Sequence, residues 1–435
     1  MSLGSHEGPG HHSTPNAQRR GGPRMNSRSP SIAKNVPLRR ISLAQFTSLA
    51  ATYAIYFASM ALVEEETHSS AQMGMMVFCS TLPGFLFGML AGVVVDRYDR
   101  RHVLVIGNLL RLLVSVGFAA STHWLEGSCL LAAVYAGNFV LSAVAQFTTS
   151  AEGAVIPHFV PSERLRAANS IFQVATLGAQ GAGTVILAPL LLRVGGAPAA
   201  GLGAIPLFGT SAWMCARLPR RLGGRNDAGL SHTWASLRKD LQAGWRFVAD
   251  NPSVRWAIGS LVLMSSLSLA LTTLVPGLAA RVWGVPIEHV AYLAVPGGLG
   301  FGLGAWLVGR RGGRLREEAW VGTGLLLLGT GLALLPTLRA LQGPYVLLFL
   351  LLSVGLGISF ALVIVPARTV VQERSPDEVR GRVLSTQLFL SNLASTLPLP
   401  LTGGLADLLG FRRVFSLLAL IALGAGAVSA RHARG

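Results

Sequence analysis

Apolar residues fall along this chain in long blocks rather than in alternating or short amphipathic patterns. Blocks of about 20 mostly apolar residues, the length a helix needs to cross a bilayer, occur near 41–63, 71–95, 103–122, 128–150, 168–192 and 197–217. A second set occurs near 254–275, 289–309, 319–338, 344–366, 383–405 and 411–430. The pattern predicts an all-α membrane protein with twelve transmembrane helices, six on each side of a polar stretch at 218–253. Within that stretch Leu237, Leu241, Trp245 and Val248 recur at helical spacing among charged residues, which predicts an amphipathic helix on the membrane surface. Residues 1–40 are rich in Gly, Pro, Ser and His and carry too little apolar content to fold. His6, His11 and His12 read as part of that tail, and the first apolar block, from Ile41, is expected to act as a signal anchor. The expected organisation is a disordered cytoplasmic tail (1–40), a first six-helix half (41–217), a cytoplasmic linker (218–253) and a second half (254–435).

Composition sharpens this picture. Of 435 residues 51% are hydrophobic and only 13% charged, far below the share of a soluble domain. The net charge of +17 would suggest nucleic acid in a soluble protein. Here the basic residues sit in short clusters between apolar blocks, so the partner they imply is the lipid bilayer, with no nucleic acid. With the N-terminal tail placed inside, the inside segments hold 30 of the 36 lysines and arginines; Arg193, Arg281, Arg339, Arg412 and Arg413 fall outside. That asymmetry predicts a multi-pass protein of the cell (inner) membrane with both termini cytoplasmic and Glu64–Glu66 outside. Cys79, Cys129 and Cys215 lie in or beside apolar blocks without metal-ligand spacing, so neither a metal nor a cofactor is expected. The histidines are scattered among different loops and converge on no nucleophile or metal pattern, which argues against an enzyme.

The chain also repeats itself weakly. PSERLRAANS at 161–170 resembles PDEVRGRVLS at 376–385, and DRYDRR at 96–101 has an echo in GRRGGRLR at 309–316, at nearly the same offset. Two parallel six-helix halves would give this pattern.

The segment Gly92-Val-Val-Val-Asp96-Arg97-Tyr98-Asp99-Arg100-Arg101 resembles the signature loop of the major facilitator superfamily, G-x-x-x-D-R-x-G-R-R, with Asp99 in place of its second glycine. The form DRxDRR, together with AVIPHFVPSERLRAAN (154–169) and VQERSPDEVRGRVLS (371–385), resembles the exporter branch that carries drugs, macrolides and siderophores. The resemblance spans roughly 38–430. It implies a secondary transporter, coupled to protons, that moves a small organic substrate outward. A transport-inactive scaffold, or an importer on the same fold, is the competing reading; a static scaffold has no need of a gate loop.

The residues allow the gate to be argued directly. Gly92 lets two helices approach, Asp96 can face the N-terminal end of span eleven, and Arg97, Arg100 and Arg101 can pair with Glu373, Asp377 and Glu378, beside Arg380, across the two halves. Polar side chains also form stripes. Gln45, Ser48, Thr52 and Tyr56 share one face of span one; Asn138, Ser142, Gln146 and Thr149 share one face of span four. Such stripes cannot favourably face lipid. The expected substrate cavity is therefore lined by Gln45, Thr52, Tyr56, Asn138, Ser142 and Gln146. Arg111, two turns into span three, is expected to snorkel to the inner headgroups. Carboxylates occur only at span edges (Glu64–Glu66, Asp96, Glu152, Asp407), and Glu152 is the proton-coupling candidate. In span five, Gly178, Gly181 and Gly183 make a small-residue packing surface.

Overall fold

The computed structural model describes residues 35–161, 164–219, 242, 244–285, 294–311, 316–338 and 344–432. The tail before Asn35 and most of the linker, Leu237 and Leu241 included, lie outside the described residues.

Long helices dominate because the apolar blocks satisfy every backbone group internally, as a lipid environment requires. In the first half these are α1 (Val36–Thr67), α2 (Ser70–Arg97), α3 (Arg100–Trp124), α4 (Gly127–Val155), α5 (Leu165–Gly181) and α6 (Ala188–Ala216). In the second half they are α7 (Pro252–Leu278), α8 (Ala294–Arg311), α9 (Glu317–Leu334), α10 (Pro344–Arg374), α11 (Asp377–Thr396), α12 (Leu399–Leu409) and α13 (Phe411–His432). Capping residues mark the starts. Asn35 accepts from the Leu38 N–H, Ser69 from Gln72 and Asp99 from Arg101, each satisfying a donor the first turn leaves open. This gives Asp99, the departure in the signature loop, a local role: it caps α3.

Nine stretches among the described residues are long and apolar enough to cross a membrane. One of them, Ala167–Ala216, is 50 residues long and holds two spans. A π-helical stretch at Ala182–Leu187 carries α5 forward, and the backbone breaks at Gly195–Gly196, where Gly196 has φ +67°. A side chain there would be strained, so glycine permits the hairpin between spans five and six. The short α8, and span eleven, which is interrupted at Leu397–Pro398 into α11 and α12, complete the twelve predicted spans.

Each half has its own apolar core. Ile55, Met73, Met76, Val134 and Phe208 meet in the first half; Leu261, Leu274, Leu325, Val363 and Phe415 meet in the second. Glycines let helices touch backbone to backbone. A Cβ on Gly183 would stand 2.5 Å from the Ala50 carbonyl oxygen, and one on Gly304 would stand 2.9 Å from that of Ile358.

The end of the linker is described. Residues 244–250 are helical, but Val248 is buried in the core of the second half, and Gly244 presses on Arg382 and Thr386 of α11. Trp245, 55% exposed, presents an outward apolar face. Tertiary packing holds this segment to the bundle.

Candidate functional site

The start of α1 and the end of α13 lie at one end of the bundle, here the near end. Arg40 at the start of α1 donates to the Arg217 carbonyl just past α6, and Trp256 near the start of α7 donates to Ser429 near the end of α13. The opposite end, the far end, carries the start of α2 and the end of α12.

The two halves meet along α2 and span eleven. At the far end this seam is tight. A Cβ on Gly74 would stand 2.5 Å from the Leu399 carbonyl oxygen, and one on Gly403 would meet the Ser70 carbonyl at 1.9 Å. Leu399 itself is buried in the first half's core beside Met73, Met76 and Val77. Midway, Phe85 of α2 and Phe389 of α11 stand with ring centroids 5.6 Å apart. From Ser70 to Phe85 the contact runs about 22 Å at the helical rise of 1.5 Å per residue. Beyond it, at Gly92, a Cβ would meet nothing within 4 Å. Among the described residues the seam is a wedge, closed at the far end and clear beside Gly92 toward the near end.

Charge reinforces the closed end. Asp407, past the apolar stretch of span eleven, accepts from the backbone N–H of Ser70 (2.8 Å) and Ala71 (2.9 Å) and from the Ser69 hydroxyl (2.8 Å). The carboxylate of one half thus sits on the N-terminus of a helix in the other, where the helix dipole favours it. Arg281, in the π-helical stretch Ala279–Trp283 that ends span seven, completes the latch. Its Nη1 is 3.0 Å from Asp407 Oδ1, its Nε 3.0 Å from Glu64 Oε1, and its Nη2 donates to Ser70 Oγ. Its guanidinium also covers the Phe411 ring at 4.7 Å. Partial burial alone would raise the Asp407 carboxyl, but the Ala71 and Ser70 amides, the Ser69 hydroxyl and Arg281 bring it down to about 2. Sequence reasoning noted Glu64 and Asp407 only as edge carboxylates and Arg281 only as an outside arginine.

At the near end the described gate residues make contacts within their own halves. Arg100 donates to the Ala154 carbonyl near the end of α4, and Arg101 donates to the Ala216 carbonyl that ends α6. Both arginines complement helix C-termini within their own half. Arg97 and Glu373 are exposed, and Arg380 donates to the Ser375 carbonyl. The side chains of Asp96, Asp377 and Glu378 lie outside the described residues.

The polar stripes divide. Thr52, Tyr56, Ser142 and Gln146 are half-buried, and Gln146 lies against α2 near Gly84. Gln45 is buried. Asn138 is buried too, and its amide donates to Ser59 Oγ of α1 and to the Val134 carbonyl, so it binds α4 to α1. Arg111 does not snorkel. It is 3% exposed, and its guanidinium donates to Ser48 of α1 and Thr148 of α4. Glu152 lies in the same core, also 3% exposed.

Comparison with known proteins decides the family. The model of the Major Facilitator Superfamily matches residues 41–398. The chain belongs to that superfamily. It is accordingly a multi-pass membrane transporter rather than an enzyme. Among its relatives, an uncharacterized transporter of this superfamily from Mycobacterium tuberculosis is 29% identical over 331 residues, 70% of each chain. The enterobactin exporter of Shigella dysenteriae is 26% identical over 366 residues, 81% of each chain. Solved major facilitator structures share the fold. A bacterial homolog of the human lysosomal transporter Spinster superposes with a TM-score of 0.65 at 15% identity, covering 93% of this chain and 94% of its own. A nucleoside transporter superposes with a TM-score of 0.68 at 13% identity, covering 92% and 98%.

Proposed function

We propose that this major facilitator protein is a proton-coupled exporter of a bulky, neutral or weakly charged amphipathic compound, with its near end in the cytoplasm. The observation that carries the reading is the wedge-shaped seam. A transporter that alternates its access must close one end while the other is open, and at the far end packing and ion pairs join the two halves. The lysine and arginine asymmetry supports placing the near end inside. Resemblance over 81% of each chain to an enterobactin exporter supports outward movement of a large organic solute. Gln45, Thr52, Tyr56, Ser142 and Gln146, beside Tyr53, Phe57 and Phe139, supply hydrogen-bonding and aromatic surface without a fixed charge. Such a wall suits an amphipathic compound and gives a sugar phosphate nothing to neutralise its charge. Asp96, Arg97, Arg100, Arg101, Glu373, Asp377, Glu378 and Arg380 form the cytoplasmic gate in the alternate state, closing around Gly92.

The test is counterflow in proteoliposomes with enterobactin as the probe, with and without a pH gradient. Accumulation is expected to depend on the gradient, and Tyr56→Ala is expected to lower enterobactin counterflow about tenfold, the loss of one good contact, without lowering protein yield. Robust carriage of a sugar phosphate, insensitive to Tyr56→Ala, would refute this account of the cavity. Cysteine labelling at Arg225 and at Glu126 checks the orientation, which requires opposite sides.

A further inference from the structure

The first half hides a polar cluster that a membrane helix bundle does not need for packing. Arg111 of α3 donates through Nη1 to Ser48 Oγ at 2.5 Å and through Nη2 to Thr148 Oγ1 at 2.6 Å. Ser48 in turn donates to Asn108 Oδ1, one turn earlier on α3, at 2.7 Å. Glu152 stands one turn beyond Thr148 on α4 and interacts electrostatically with Arg111. Its Oε2 is buried without a hydrogen-bond partner. Toward the near end, Ile41, Val95, Leu104, Ala151 and Val155 close over the cluster. Burying opposite charges is costly, and apolar side chains of similar volume would hold these helices at least as well. Ionisable groups retained inside a membrane bundle point to function.

We propose that Arg111 and Glu152 form the proton-linked switch of transport, with Arg111 as the positioning residue that ties α1 to α4. The inference rests on the proton-coupled, alternating-access reading above. A proton from the aqueous phase adds to a Glu152 carboxylate oxygen and neutralises it. Arg111 then keeps its hydroxyl partners but loses the charge opposite it, which loosens its hold on α4. Release of the proton to the aqueous phase restores the pair. Because α1 carries Gln45, Thr52 and Tyr56 while α4 carries Ser142 and Gln146, the tie sets the spacing of the two walls. The charged and titratable groups acting on Glu152 are Arg111 from α3 and the Cys215 thiol from α6; α1 brings the Ser48 hydroxyl and α2 brings Val95.

The experiment measures distance across the seam in the full chain in nanodiscs. Spin labels replace the exposed far-end residues Leu125 and Leu408, with Cys79 and Cys129 changed to alanine and the buried Cys215 kept. In the otherwise unaltered protein the far-end distance distribution is expected to differ between acidic and alkaline buffer. Glu152→Gln is expected to abolish the shift, and Arg111→Lys to keep it with a moved midpoint. Arg111→Gln strands a buried carboxylate and invites misfolding. The double variant Arg111→Gln/Glu152→Gln removes both charges and is expected to fold and to show one pH-independent distribution. A purely structural pair would alter yield or melting without moving the midpoint. A wild-type-like shift in Glu152→Gln would overturn the proposal. So would a pH-independent distance in a protein whose enterobactin counterflow still responds to the pH gradient. Absence of counterflow in the unaltered protein would instead defeat the transport reading itself.

Discussion

The two ends of the seam are built from the same helices yet behave oppositely. At the far end α2 and span eleven touch backbone to backbone at Gly403, Leu399 is absorbed into the other half's core, and Asp407 and Arg281 tie the halves together. At the near end Gly92 faces open space, and Arg100 and Arg101 cap helices of their own half. The difference teaches that closure here is made by a few groups that reach across the halves, not by the helices' general apolar character. Charges aimed at a partner's helix terminus can form and break without unfolding either half.

The largest effect is expected at the centre of the latch. Arg281→Ala leaves Glu64, 2% exposed, as a buried carboxylate without its cation. Removing one partner of a buried pair costs about 3–5 kcal/mol. The far end is expected to open, read as cysteine labelling at Ser69, and Arg281→Ala/Glu64→Gln is expected to recover part of the closure. Unchanged labelling in Arg281→Ala would break the comparison, because packing alone would then hold the far end.

The glycine pair sharpens the contrast at a smaller scale. Gly403→Ala drives a Cβ into the Ser70 carbonyl and is expected to weaken far-end closure by about 1–3 kcal/mol, the usual cost of overpacking. Gly92→Ala meets open space and is expected to leave the same labelling at Ser69 unchanged while slowing transport, since the proposed alternating access closes the near end in the other state. Equal effects of the two substitutions on the labelling would show that the seam is not a wedge.

The smallest effect concerns pH. A carboxyl held below its ordinary value adds stability above that ordinary value and loses it only as pH falls through the lowered one. For Asp407 the lowered value is about 2. Far-end closure due to Asp407 is therefore expected to be constant from about pH 5 upward. Asp407→Asn is expected to weaken closure by about 1–2 kcal/mol, the loss of charge-assisted hydrogen bonds, and to leave the pH response of the far-end distance intact. Loss of that response in Asp407→Asn would move the proton-linked element from Glu152 to the latch.

How much of this was legible in the chain differs by residue. The twelve spans follow from block length and hydropathy, since a bilayer imposes them locally. The close approach at Gly183, one of the small residues of span five, was legible for the same reason. Arg111 was misplaced because snorkelling is the default for a lone arginine near a span end. Its true partners, Ser48 and Thr148, lie on other helices and form no local motif with it. The linker's docking on α11 was likewise invisible, because Gly244 and Thr386 are joined only by the packing of the second half.

By itself the sequence determined the helices, their number and the positive end of the bundle, because each of these is set within one span and its flanking loops. Only the tertiary structure decided which end of the seam is closed and by what. Ser70 and Asp407 are separated by more than half the chain, and whether a carboxylate meets a helix N-terminus there depends on how the two halves tilt against each other. No local pattern of hydrophobic and polar residues encodes that tilt, since either tilt buries the same faces within each half.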